Sequence, residues 1–141
     1  MKVAKHFRWE AAHRIPWHDG GCHSLHGHSY HMTVELEGDP DARGMVVDFK
    51  EMKAMVKPLV DEWDHSVMAD HRDTELIESV NKLGSKLSIL PCDTTAENVC
   101  QVAIDRILEA GKARLNELGI HGITVRVRET VTSYAEMSAS V

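Results

Sequence analysis

A short N-terminal segment holds the residues of this chain best suited to bind a metal. Residues 22–28, Cys-His-Ser-Leu-His-Gly-His, place one thiol and three imidazoles within seven residues, and His13 lies shortly before them. Three neutral imidazoles that leave one coordination position open are typical of catalytic zinc sites. We therefore predict a zinc site on His13, His26 and His28. Cys22 is either a fourth ligand or a nearby base, since a thiol close to a cation has a lowered pKa.

Other side chains could supply acid–base chemistry. Asp64-His65 and Asp70-His71 are adjacent pairs, and in each a carboxylate could fix the tautomer of the neighbouring imidazole. By chemistry alone, either pair could be catalytic. Glu129 lies in the same strand phase as the apolar residues before it. A carboxylate buried on such a face is costly unless hydrogen-bond donors meet it.

The strands predicted around these residues explain how they would be positioned. Residues 2–14 and 26–37 both alternate between apolar and polar side chains, which indicates two half-buried strands. His13, His26 and His28 fall on the apolar faces, because side chains two apart point to the same side. Residues 15–25, rich in Pro, Gly, His and Asp, form the loop between the strands and carry Cys22.

The remaining pattern predicts an α+β domain, an antiparallel β-sheet with two main helices packed on one face. One helix begins after Asp48 and runs to Trp63, and the second begins at residues 94–97 and ends at Gly119. We expect a polar stretch at residues 64–73, an undecided region with a short helix and a strand at residues 74–90, and a last strand at residues 120–129. Glu97 could cap the end of its own helix and need not touch a ligand.

Length and composition narrow the class of protein. The 141 residues, 43% of them apolar, predict a single domain over residues 1–141. A net charge of −6 without a basic run argues against nucleic acid and favours a small-molecule partner. The three cysteines show no C-x-x-C spacing and no signal or membrane segment is recognisable, so we expect free thiols and a cytoplasmic protein without a membrane partner.

Several motifs, in order, resemble the family of 6-pyruvoyltetrahydropterin synthase and 6-carboxytetrahydropterin synthase. Its F-S-A-A-H-x-L is similar to residues 9–15, its C-x-x-x-H-G-H-(S/N)-(Y/F) to residues 22–30, and its G-x-V-x-D-F to residues 44–49. The L-D-H-x-x-L, P-T-x-E-N and E-T elements resemble residues 63–68, 94–98 and 129–130. A single H-G-H would be weak support, whereas several such elements in sequence are strong.

The resemblance implies zinc on the three histidines, Cys22 as catalytic thiolate, and Asp64 with His65 completing a triad. Glu129 would anchor a pterin, whose amino group and ring N–H match two carboxylate oxygens. Thr95 and Glu97 would also bind substrate. The family has the tunnelling fold and assembles through trimers into homo-hexamers, a dimer of trimers with active sites at subunit interfaces.

The implied activity is a zinc-dependent lyase. It would convert 7,8-dihydroneopterin triphosphate to 6-carboxy-5,6,7,8-tetrahydropterin with loss of triphosphate and acetaldehyde, a step of deazapurine and queuosine biosynthesis. The chain lacks the Asp-Asn that often follows the Glu in 6-pyruvoyl enzymes, which favours this branch. One alternative is 6-pyruvoyltetrahydropterin synthase, which only eliminates triphosphate. Another, of a different class, is a non-catalytic module with a structural Cys/His3 zinc site.

Overall fold

A curved six-stranded sheet carries the candidate residues and is covered by helices. The structure, a computed structural model, describes all of residues 1–141. Its strands are β1 (Lys2–His13), β2 (His26–Gly38), β3 (Ser66–Asp70), β4 (Leu87–Leu90), β5 (Ile120–Thr130) and β6 (Ser133–Ser140). Its helices are α1 (Phe49–Trp63), α2 (Thr74–Leu83) and α3 (Ala96–Glu117). None of these helices is long and apolar enough to cross a membrane.

The strand order is β4-β3-β1-β2-β5-β6. Strands β1, β2, β5 and β6 pair antiparallel, which confirms the predicted sheet for this part. Strand β3 pairs parallel with both β1 and β4, so the whole sheet is mixed rather than antiparallel. The parallel pairs are possible because long connections, each containing a helix, precede β3 and β4.

One face of the sheet forms the main core with α1 and α3, as predicted for the two main helices. Trp9 and Tyr30 on the sheet, Val56 on α1 and Ile107 on α3 belong to one buried cluster. Helix α2 is a third helix on the opposite face. Its Leu76 and Val80 pack with Ala69 in a separate cluster, whereas the preceding Met68 belongs to the main core. The α+β class is therefore confirmed, with an additional helix.

Two strands lie where the sequence predicted none. Residues 66–70, expected to be part of a polar stretch, form β3 and are mostly buried. Ser66 is accommodated because its hydroxyl donates to the carbonyl of Trp63 at 2.7 Å. Residues 133–140 form β6, which is largely exposed and lies on the edge of the sheet beside β5. Without an apolar face, this strand has no periodic signal to predict it.

Candidate active site

Three histidines converge where β1 ends and β2 begins. His13 is the cross-strand partner of His26, and Ala11 is that of His28, so all three imidazoles lie on the core side of the sheet. Nε2 of His26 lies 3.2 Å from Nε2 of His13 and 3.0 Å from Nε2 of His28. One ligand atom from each histidine lies within 4.8 Å of the others. Cys22 is not part of this group, so a four-ligand Cys/His3 site is not assembled.

Backbone carbonyls fix the tautomers of two of these rings. Nδ1 of His13 lies 2.8 Å from the carbonyl of Thr94, and Nδ1 of His26 lies 2.7 Å from that of Ser24. Because a carbonyl only accepts, each Nδ1 carries the proton and each Nε2 presents a lone pair. Two facing lone pairs repel, and a cation between them removes the conflict. The three nitrogen donors fit zinc with an open position.

Burial also favours the neutral, ligating form of His13 and His28. The His13 side chain is only 1% exposed, and burial lowers its pKa to about 4 against the opposing bond to Thr94. Burial likewise lowers the pKa of His28, with a further contribution from His26. Neutral imidazoles at physiological pH are the form that binds a metal.

A cavity of about 320 Å³ lies beside the three histidines, on the core side of the sheet. Its walls include the predicted residues Cys22, Thr95, Glu97 and Glu129. Cys22 lies in a short 3₁₀ turn of the β1–β2 loop, with a free and partly buried thiol. Oε1 of Glu129 is 3.9 Å from Nε2 of His13, so the cavity adjoins the histidine cluster.

The Glu129 carboxylate is poised to accept hydrogen bonds. Its Oε1 is buried and has no hydrogen-bond partner. Burial raises the pKa of Glu129, and the nearby Glu97 carboxylate raises it further. A buried acceptor without a donor is costly, so this oxygen is suited to a ligand that brings an N–H group.

Tyr30, a neighbour of the Glu129 carboxylate, is not among the residues predicted from the sequence. Its hydroxyl is fully buried without a hydrogen-bond partner, and its ring stacks on Trp9 with 4.9 Å between centroids. The ring edge also contacts His13 and His28. The signal was available, because Tyr30 follows His26 and His28 in the same strand phase.

The start of α3 settles how Thr95 and Glu97 are used within the chain. Thr95 is the N-cap residue, and its hydroxyl accepts from the backbone N–H of Asn98 at 3.3 Å. Glu97 is the second residue of the helix and its side chain makes no capping bond. Glu97 therefore does not cap its own helix through a hydrogen bond, and it lines the Cys22 cavity.

The backbone of β1 holds the Asp64-His65 pair. Oδ1 of Asp64 accepts from the N–H of Glu10 at 2.9 Å, and Oδ2 lies 2.9 Å from Nδ1 of His65. The N–H of His65 donates to the carbonyl of Glu10 at 2.7 Å. These contacts hold His65 at a φ of 56°, in the left-handed region that non-glycine residues rarely adopt. The Glu10 N–H, followed by His65, lowers the pKa of Asp64.

Asp64-His65 and Cys22 do not meet within one chain. His65 lines a separate cavity of about 400 Å³ with Glu10, Ala12 and Ser29. Ala11 and His28 also line this cavity, but Glu10, Ala12 and Ser29 belong to the strand phase opposite to that of His13 and His26, so the cavity lies mainly over the polar face of the sheet. The two cavities share no residue. A single chain therefore presents the two parts of the predicted triad on different surfaces.

The competing pair, Asp70-His71, is engaged elsewhere. The Arg72 guanidinium binds both oxygens of the buried Asp70 carboxylate, with Nε 2.9 Å from Oδ1. His71 has only a 3.2 Å contact to the same Oδ1. Arg72 also lowers the pKa of Asp70. This carboxylate therefore serves an arginine more than an imidazole.

Comparisons with known proteins agree with these observations. The sequence profile of the family described as 6-pyruvoyl tetrahydropterin synthase matches residues 2–140. The chain is 33% identical over 144 residues to 6-carboxy-5,6,7,8-tetrahydropterin synthase of Haemophilus influenzae, covering 96% of this chain and 97% of that protein. It is 33% identical over 161 residues to the Aquifex aeolicus protein of the same name, covering 96% of each.

A solved structure shows the same fold. The 6-pyruvoyl tetrahydropterin synthase of Plasmodium falciparum superposes with a TM-score of 0.81 at 20% identity, covering 100% of this chain and 98% of that one. The predicted tunnelling fold is thereby confirmed.

Proposed function

The chain belongs to the 6-pyruvoyl tetrahydropterin synthase family, and from this we propose that it is a zinc-dependent 6-carboxy-5,6,7,8-tetrahydropterin synthase. Its substrate would be 7,8-dihydroneopterin triphosphate, and its other products triphosphate and acetaldehyde. The observation that carries the proposal is the convergence of three imidazole Nε2 atoms beside a cavity with a free thiol and an unpartnered carboxylate. The product would serve deazapurine and queuosine synthesis in the cytoplasm.

The sequence relatives support this choice of product. The curated proteins that resemble this chain at 33% identity over nearly its whole length carry the 6-carboxy name. The likeness to the 6-pyruvoyl enzyme of Plasmodium falciparum, at 20% identity, concerns the fold alone. The sequence relatives therefore favour the 6-carboxy reaction over triphosphate elimination alone.

Glu129 would bind and orient the pterin. Its two carboxylate oxygens can accept from the amino group and the adjacent ring N–H, a planar donor pair of matching spacing. This pairing would supply the donor that Oε1 lacks in the free protein. Thr95 and Glu97, on the wall of the same cavity, would contact the substrate beside it.

His13, His26 and His28 would hold the zinc. Bound there, zinc would act as a Lewis acid that polarises the hydroxyl groups of the substrate side chain. The chain's own contribution is to leave Nε2 of His13 and of His26 unprotonated, because the carbonyls of Thr94 and Ser24 accept from the Nδ1 of these rings.

Cys22 and His65 would move the protons. As a thiolate, Cys22 would accept the carbon-bound proton of the substrate side chain, and His65 would carry a second proton at its exposed Nε2. Asp64 would hold His65 through Nδ1. Because the two groups line cavities on different faces, a second copy would supply Asp64 and His65 to the Cys22 cavity. We propose a homo-hexamer, a dimer of trimers, with such shared sites.

Product analysis tests the proposal. Purified zinc-loaded protein is incubated with 7,8-dihydroneopterin triphosphate, and the pterin, acetaldehyde and triphosphate are quantified together. Equal yields of 6-carboxy-5,6,7,8-tetrahydropterin, acetaldehyde and triphosphate would support it. Triphosphate without acetaldehyde would indicate the 6-pyruvoyl reaction, and unchanged substrate with a full zinc complement would exclude both enzymes.

A further inference from the structure

Three basic side chains form a row across the polar face of the sheet. Arg8 on β1 is the cross-strand partner of His31 on β2, and His31 is the partner of Arg128 on β5. Directly opposite side chains on one sheet face have Cβ atoms about 5 Å apart. We call Arg8, His31 and Arg128 the basic row.

No carboxylate of the chain neutralises this row. The side chains of Arg8 and His31 make no hydrogen bond or ion pair, and Arg128 donates only to the carbonyl of Val131 at 2.9 Å. Glu10, the acidic side chain two residues along β1 from Arg8, instead accepts from Ser29 at 2.6 Å. The arginines that do pair with carboxylates are Arg14, Arg72, Arg106, Arg114 and Arg126.

The lack of partners is informative in so acidic a chain. Asp and Glu together number 22 against 16 Lys and Arg, so carboxylates are abundant. A chain that keeps two unpaired guanidiniums around an imidazole has a surface that an external anion would stabilise.

The position of the row connects it with the candidate active site. The next pair on the same face is Glu10 and Ser29, which line the His65 cavity. Residues two apart along a strand are separated by roughly 6.8 Å, so the row begins one step from that cavity. Glu129 follows Arg128 in β5 but points to the opposite face. Within one copy, the basic row therefore accompanies His65 and not Glu129.

We propose that the basic row is an anion site that takes a polyphosphate chain. Resting on the proposed function, we assign to it the triphosphate of the substrate, whose pterin is bound by Glu129 of another copy. Guanidinium groups suit this ligand, because their planar N–H groups make paired, charge-assisted hydrogen bonds to phosphate oxygens. The copy that supplies His65 would thus also hold the leaving group.

Binding of inorganic tripolyphosphate tests the anion site without relying on catalysis. Calorimetric titrations compare wild type with Arg8→Gln and Arg128→Gln, and with Arg43→Gln as control. Arg43, in the turn between β2 and α1, is an equally unpaired arginine outside the row. We expect each row variant to bind roughly ten-fold more weakly, as the loss of a charged hydrogen bond predicts, and the control to match wild type. Arg43→Gln and the row variants all keep the three histidines. Any chelation of bound metal by tripolyphosphate therefore contributes equally to every titration.

Equal affinity in the row variants and wild type would overturn the proposal, as would an equal loss in Arg43→Gln. Steady-state kinetics then test whether the phosphate chain bound by the row is that of the substrate. If the row binds the substrate tail, the row variants raise KM for dihydroneopterin triphosphate but leave inhibition by dihydroneopterin, which lacks phosphates, unchanged. An unchanged KM would overturn this assignment. Row-dependent tripolyphosphate binding in a protein that turns over no pterin would instead disprove the proposed function and leave the anion site standing.

Discussion

Oε1 of Glu129 lies 3.9 Å from Nε2 of His13, although the two residues come from strands at opposite ends of the chain. Strand β2 lies between β1 and β5 in the sheet. The side chains of His13 and Glu129 therefore meet across β2, on the core face of the sheet. The candidate pterin anchor is thereby fixed directly beside the candidate metal ligands. A substrate held by Glu129 would have its side chain within reach of a metal on the histidines.

His26→Ala and His28→Ala should each lose most bound zinc and all activity, because both rings contribute an Nε2 to the cluster. Metal content per chain, measured by mass spectrometry after gel filtration, checks this against one zinc per chain in wild type. His6→Ala is a suitable control, since His6 lies on the polar face of β1 and its ring hydrogen-bonds to the Thr33 hydroxyl, away from the cluster. Stoichiometric zinc in both cluster variants would remove these histidines from the ligand set.

Cys22→Ala and Cys22→Ser should keep zinc but lose at least a hundred-fold in kcat, about the size of a general-base contribution. The physical reason is that Cys22 lines the cavity beside the cluster without belonging to it. Paired metal analysis and steady-state kinetics measure both effects. Loss of zinc together with activity would make Cys22 a ligand, and retention of both would show that another group is the base.

His65→Ala should reduce turnover far more than His71→Ala. The Asp64 carboxylate and the β1 backbone orient His65, whereas Arg72 occupies the carboxylate beside His71. The ratio of the two kcat values is the measurement. A larger loss in His71→Ala would place the catalytic pair at Asp70-His71.

Mixing inactive variants should restore activity if the site is shared between copies. Random assembly of Cys22→Ala with His65→Ala chains leaves one site in four intact, so about a quarter of wild-type activity is expected after unfolding and refolding together. Cys22→Ala mixed with His26→Ala is the matched control, because both variants are expected to be inactive and both residues belong to the core-face site of one chain. Restoration in the control mixture, or none in the first, would contradict sites formed between copies.

Glu129→Gln should stabilise the metal-free protein at neutral pH. Burial raises the pKa of Glu129 in the folded protein, so the folded state binds more protons than the unfolded state between the two pKa values. Stability therefore falls as pH rises through this window and stays lower above it. The amide variant has no such penalty.

Thermal unfolding at a series of pH values measures the effect. The midpoint difference between Glu129→Gln and wild type should be positive at pH 7 and vanish below about pH 4, where the unfolded carboxyl is also protonated. Glu78→Gln, on the exposed side of α2, should show no comparable change. The same Glu129→Gln protein should have a raised KM for the pterin substrate, since one paired acceptor is lost.

The sequence by itself determined β1, β2, β5, α1 and α3, because each has a strong apolar period and a turn or cap at its end. It also determined that His13, His26 and His28 share a face, since strand phase depends only on neighbours two residues apart. The predicted strands at residues 2–14 and 26–37 agree with Lys2–His13 and His26–Gly38.

Only the tertiary structure decided which strands become neighbours. Strand β3 is short and flanked by polar residues, and it is a strand because it pairs with β1 and β4 and is covered by α1 and α2. Pairing across strands also created the basic row, whose members are far apart in sequence. The placement of Cys22 and His65 on different faces arose in the same way. Local periodicity cannot encode these relations, since they depend on which register and order bury the most apolar surface over the whole chain.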